Sequence, residues 1–168
     1  MIHNTDPFAT PEQDRRPVRR LRGRLVTPVT LWTAPGPAGL TVSSVLIVDG
    51  EPGRVIGLID EESDLWPAIK ATRRFTITPL AAGQRLLADR FAGLAPAPGG
   101  LFAQDEWVDT DYGPVLAGDR TWAGCVFDAG RGYGWGVLVE GTIEQVTLAA
   151  GDAEPLAYHR GRYRTVPQ

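Results

Sequence analysis

The chain has one cysteine, two histidines and no apolar run long enough to cross a bilayer, and each scarcity removes a class of function. Cys125 alone builds no internal disulfide framework and no tetrahedral thiolate site. His3 and His159 are too few for a histidine cluster, so no metal is expected. A Ser-His-Asp device would rest on His159, and no G-x-S-x-G turn presents a serine to it. The P-loop pattern G-x-x-x-x-G-K-[ST] is missing too. "GRGYGWG", residues 130–136, fits G-x-G-x-x-G only loosely and runs on into a strand-like segment where a helix is required. A spanning helix needs about 20 apolar residues. None occurs, and "MIHNTDPFATPEQD" lacks the basic-then-apolar order of a secretory signal, so the expectation is a cytoplasmic protein with no membrane partner.

Net positive charge is absent as well: the formal charge of −3 argues against nucleic acid as a partner, which calls for a basic face. One stretch departs from this. "RRPVRRLRGR", residues 15–24, carries Arg15, Arg16, Arg19, Arg20, Arg22 and Arg24. Residues 1–24 have little apolar periodicity and read as a flexible Arg-rich arm, solvated or reaching to an acidic partner or a second subunit. The folded domain is then 25–168.

What is plentiful points to strands. With 43% hydrophobic residues in 168, the chain can bury one core, and 20 glycines with 14 prolines favour many turns over long helices. "RLVTPVTLWTA", "LTVSSVLIV" and "RVIGLI" alternate or run apolar between "PGPAG" and "DGEPG", so they read as three strands of a meander, the last covered on both faces. "DEESDLWPAIKATRR" changes to helical spacing, with Ser63 as the cap and Pro67 in the first turn. "FTITPL" returns to alternation, and "GQRLLADRFAG" reads as a second helix ended by glycine. A long loop hiding an edge strand follows, then strands in "TWAGCVFDAG", "YGWGVLVEGTIEQVTL" and "PLAYHRGRYRTV". Seven or eight strands with two or three short helices are enough for a small barrel. In "GLTVSS" a continuous strand puts Thr41 and Ser43 on one face, and that face meets either water or a ligand.

The order of these blocks resembles the flavin reductase-like family of FMN-binding split barrels. The likeness is carried by "VTLWTAPGPAGLTVSSVLIV", "LIDEESDLWPAI", "FTITPLAAGQRLLADRFAG", "YGPVLAGDRTWAGCVF", "VLVEGTIEQV" and "PLAYHRGRYRTV" over residues 25–166. The resemblance implies a mainly β, Greek-key split barrel, a homodimer, bound FMN or FAD, NADH or NADPH as hydride donor, and a partner monooxygenase that receives reduced flavin. It places Gly39, Thr41, Val42, Ser43 and Ser44 along the flavin ring. It adds Phe75, Thr76 and Thr78 at its border, with Gln84 and Phe91 nearby, and Ser63 and Trp66 toward the phosphate tail, where a helix start suits an anion.

Three departures accompany the likeness. Asp60, Glu61, Glu62 and Asp64 crowd that helix start and oppose a phosphate. "VLIVDGEPG" is apolar where relatives are hydroxyl-rich. Relatives also carry a Gly-Asp-His block where this chain has Gly134, Trp135 and Gly136, which leaves no catalytic residue to nominate. The alternatives to a reductase are a carrier or sensor that binds flavin without oxidising a nicotinamide, and a paralogue with another ligand or none.

Overall fold

Period-2 alternation sends one side of each strand into a barrel and the other outside it. In the computed structural model, which describes residues 16–167, the chain opens with helix α1 (Pro17–Gly23) and the short strand β1 (Thr27–Pro28). Seven strands then form one antiparallel sheet: β2 (Thr30–Ala34), β3 (Ala38–Val42), β4 (Val45–Val48), β5 (Arg54–Ile59), β6 (Arg74–Pro79), β9 (Trp122–Tyr133) and β10 (Gly136–Thr147). Their spatial order is β3-β2-β6-β9-β10-β5-β4. The two edges of this sheet are consecutive in the chain, joined only by Ser43 and Ser44. Three Cα steps reach about 11 Å at most, so the edges must meet and the sheet curls into a barrel split along one seam.

That link corrects the reading of 39–48 as one strand of a meander. β3 pairs with β2 and β4 pairs with β5, so the chain changes edges at Ser43–Ser44, and Thr41 and Ser43 do not share a strand face. β5 differs from expectation as well. Val55, Gly57 and Ile59 are buried and the residues between them half-exposed, because only its inner face is covered.

The barrel is full. Trp32 and Phe75 are completely buried in it and stack with ring centroids 4.9 Å apart, and Val42, Val55, Ile59, Phe127 and Val139 pack among the same cluster. A buried side chain of this kind contributes about 1.5–3 kcal/mol, so these two rings anchor the fold. Room for them comes from glycine: a Cβ at Gly141 would lie 2.7 Å from the Phe75 ring, and one at Gly57 would overlap the Trp32 indole. A ligand has no place in this lumen and must bind outside it.

Helix α2 (Leu65–Thr72) closes the barrel with Leu65 and Ile69. Ser63 does not cap it. Asp64 holds the cap position without a side-chain bond, while Ser63 Oγ donates to the Asp60 carbonyl (2.7 Å) in a turn that Asp60 organises. The sheet's outer face carries a second core. Val29 and Leu31 meet Leu87, Ala88 and Phe91 of α3 (Arg85–Phe91), Leu116 of β8 (Gly113–Leu116) and Leu156 of β11 (Leu156–His159). β8 pairs with β7 (Trp107–Thr110), the edge strand inside the expected loop. β1, β11 and β12 (Arg162–Thr165) make a third sheet.

α1 buries none of its residues. It is held at its ends, where the Arg160 N–H donates to the Gly23 carbonyl (2.9 Å) and the Arg16 guanidinium lies 3.7 Å over the Trp135 ring. The remainder of the expected arm, residues 1–15, lies outside the described residues. Among the described residues no helix is long and apolar enough to cross a membrane.

Candidate functional site

A short strand packed on both faces has few side chains left to offer, and β3 shows where they remain. Leu40 and Val42 point into the barrel core, and Gly39 and Thr41 point outward under α3. The Thr41 hydroxyl donates to the Ala88 carbonyl (2.7 Å), and a Cβ at Gly39 would sit 2.7 Å from the Phe91 ring. The same accounting applies to β6. Phe75 is in the barrel stack. The Thr33 hydroxyl donates to the Pro114 carbonyl (2.6 Å), so the Thr76 hydroxyl donates to Thr33, and both are spent inside the protein. Thr78 is buried on the same outer face.

Ser43 and Ser44 differ. They leave the ladder at the seam, Ser43 half-buried and Ser44 exposed, and neither hydroxyl bonds another described residue. They line a cavity of about 60 Å³ with Arg19 and Arg22 of α1, His159 and Arg160. Among the described residues no carboxylate lines it. A second, open cleft of about 520 Å³ lies at the other end of β3, bounded by Gly39, Asp64 and the loop from Gly99 to Ala103. Its size is within the range of small-molecule sites, and its walls are mostly apolar. Gly39 and Ser43 are four residues apart, about 13 Å in extended chain, so β3 sets the spacing of the two openings.

The loop that walls the larger cleft is tied from beneath. Arg90, 8% exposed, forms an ion pair with Asp105 at 2.6 Å, while Phe102 packs edge-on to Phe91 and Trp107. The start of α2 borders this cleft through Asp64, not the arginine cavity. Trp66 lies edge-on to Phe127 with the Lys70 ammonium over its ring, and Gln84 Oε1 accepts from the Ala81 N–H (2.8 Å). Arg73 and Arg74, just past the end of α2, lie over the rings of Phe127 and Tyr112. Of the residues nominated from sequence, the structure therefore gathers Ser43 and Ser44 at one opening and brings Gly39 to the other. It turns Thr41, Val42, Phe75, Thr76, Thr78 and Phe91 inward.

Arg19, Arg22, His159 and Arg160 were not nominated. The arginine run was visible, but nothing local joins residues 19–22 to 159–160; β1 pairing with β11 does so. Trp135, in the segment the resemblance matched to the family's Gly-Asp-His block, sits at the tip of the β9–β10 hairpin, 81% exposed.

Comparison with known proteins agrees with this architecture. The model of the flavin reductase like domain matches residues 22–167. The "NADH:FMN oxidoreductase" of Rhodococcus qingshengii is 36% identical over 155 residues, which span 89% of this chain and 79% of that protein. Among solved structures, nitrilotriacetate monooxygenase component B from Mycobacterium thermoresistibile superposes with a TM-score of 0.82 at 27% identity, covering 92% of this chain and 88% of the other. The NADH:FAD oxidoreductase SgcE6 of Streptomyces globisporus C-1027 gives 0.80 at 25%, covering 95% and 98%. With the family model matched over nearly the whole chain and the split-barrel seam intact, the protein belongs to the flavin reductase like domain family.

Proposed function

We propose that the chain is an NAD(P)H:flavin oxidoreductase that reduces FMN or FAD at the barrel seam. The observation that carries this reading is the pair of unspent hydroxyls on the Ser43–Ser44 link, set beside an arginine-lined opening at one end of β3. This donor set fits a flavin nucleotide, which needs hydroxyl and backbone donors at its polar edge and cations at its phosphate. Bound flavin would supply the acceptor for the hydride, one hydrogen with its electron pair, that the nicotinamide gives up. The chain's own work is placement. The packed barrel makes β3 rigid, so Ser43 and Ser44 hold fixed positions and stabilise negative charge without reorganising. The apolar cleft beside Gly39 excludes water from whatever ring enters it.

Names of relatives support a place in a two-component system, in which reduced flavin passes to a separate monooxygenase. A homodimer fits the exposed edge strand β4, whose Leu46, Ile47 and Val48 are 57%, 55% and 41% exposed. A sheet edge this apolar is a pairing surface. Use of soluble nicotinamide nucleotides supports a cytoplasmic location.

The test is anaerobic mixing of catalytic amounts of protein with excess FMN or FAD and NADH or NADPH, following the oxidised-flavin absorbance. Multiple-turnover bleaching is expected. Flavin that binds yet stays oxidised identifies a carrier or sensor, and failure to bind either flavin refutes the proposal.

A further inference from the structure

Outside residues 15–24 the chain is strongly acidic: six of its 17 Lys and Arg lie in that stretch, leaving eleven against 20 Asp and Glu. An anionic nucleotide approaching such a body is repelled nearly everywhere. Against that background, three arginines and a histidine meet at one cavity, and among the described residues no carboxylate lines its wall. Among the described residues Arg22 and Arg160 form no ion pair, so no described carboxylate compensates their charge. The cavity of about 60 Å³ is too small for a ring system. A single water needs about 10–15 Å³ by this measure, so the space suits a group of four or five heavy atoms.

We propose that Arg19, Arg22 and Arg160 form a phosphate clamp, closed by α1 over the Ser43–Ser44 link, that selects phosphorylated flavin over riboflavin. This rests on the flavin-reductase reading and assigns its ligand class. The chemistry matches part by part. Guanidinium groups donate to phosphate oxygens through charge-assisted bonds, and their planar forks match the phosphate's geometry. α1 reaches the cavity with two of the arginines and buries none of its own residues, so packing contributes little to its position.

The test is titration of the full chain with FMN and with riboflavin, followed by flavin fluorescence, for the parent, Arg22→Ala/Arg160→Ala and Arg20→Ala. Arg20 lies on α1 but not at the cavity. The parent is expected to bind FMN about tenfold or more tighter than riboflavin, with the preference shrinking as salt rises. The double variant should erase the preference while leaving riboflavin binding and the circular-dichroism spectrum unchanged, and Arg20→Ala should keep it. The milder Arg22→Lys, which retains charge but not the fork, should give an intermediate preference. Equal binding of FMN and riboflavin by the parent, or an unchanged preference in the double variant, overturns the clamp and leaves the reductase reading standing. A double variant that instead raises only the KM for NADPH relative to NADH moves the phosphate to the nicotinamide nucleotide and overturns the assignment to flavin. Failure of every flavin to bind overturns the reductase reading, and the clamp with it.

Discussion

Thr41 and Ser43 lie two residues apart, and the structure gives them opposite roles that a pair of substitutions separates. Thr41 is 8% exposed and its hydroxyl donates to the Ala88 carbonyl at 2.7 Å, tying β3 to α3. In Thr41→Val the shape is kept and the bond is lost. Ala88 is not orphaned, because its carbonyl still accepts from the Ala92 N–H at 3.0 Å. The cost is therefore that of one neutral hydrogen bond, about 1 kcal/mol, without a further desolvation penalty. For a chain of this size that lowers Tm by about 2–4 °C. Flavin affinity should not change, since α3 stands between Thr41 and any ligand. Ser43→Ala/Ser44→Ala has the reverse signature. Neither hydroxyl bonds a described residue, so stability stays within about 0.5 kcal/mol of the parent. Loss of two ligand bonds raises the flavin Kd about tenfold or more. Thermal melts and a fluorescence titration on the same samples read both axes. A Thr41→Val protein that melts normally but binds flavin tenfold more weakly would refute the reasoning and restore the outer face of β3 as the ligand shelf.

Asp105→Ala should cost about 3 kcal/mol in urea unfolding, because it strands Arg90 with a side chain 10% exposed and an Nε that already has no partner. Adding Arg90→Met should recover part of that loss, and no recovery would mean the pair does not act as a pair. Cys125 is fully buried, and burial pushes its thiol up to about 12 from an ordinary value near 9.0. The folded state therefore favours the protonated form: its contribution is complete below pH 9.0 and is lost as pH rises toward 12. Cys125→Ala should flatten the fall in stability above pH 9.0, and the parent thiol should stay inert to alkylating reagent until the protein unfolds. Equal slopes for the two proteins would contradict this. Ile47→Lys, on the exposed edge strand β4, should shift sedimentation from dimer to monomer, since an isologous contact feels each substitution twice. A parent that sediments as a monomer at micromolar concentration removes the basis for that contact.

Local pattern was enough to find most of the elements, because period and punctuation are local signals. The helical spacing of Leu65 and Ile69 reports a burial pattern the structure confirms, and "FTITPL" forms the expected strand, although both of its faces are buried. Where reading failed, the deciding partner was distant in sequence. "LTVSSVLIV" contains no glycine, proline or charged residue to mark a break, and nothing in it says that β3 and β4 stand at opposite edges of the sheet. Only the pairing of β5 with β10 and of β2 with β6 decides that. The site follows the same rule. Ser43 and Ser44 were legible through the resemblance, whereas Thr41 and Thr76 resembled ligand donors until their acceptors, Ala88 and Thr33, were known. Ser63 looked like a helix cap because it precedes a periodic run, but the Asp60 turn captures it first.

A filled barrel decides where chemistry can occur. With Trp32 and Phe75 occupying the lumen, the openings left along β3 are at its two ends, and each is completed by a less firmly packed segment: α1 at the arginine cavity and the Gly99–Ala103 loop at the larger cleft. Ordering a residue costs about 1–2 kcal/mol in backbone entropy, and an isolated helix shorter than about 12 residues is marginal in water. α1 has seven residues and none buried, so its closed position draws on electrostatic contacts more than on packing. Under the clamp reading, the bound phosphate supplies the charge that holds α1 down. Departure of the ligand then withdraws it, which suits an enzyme whose product must leave to serve a second protein.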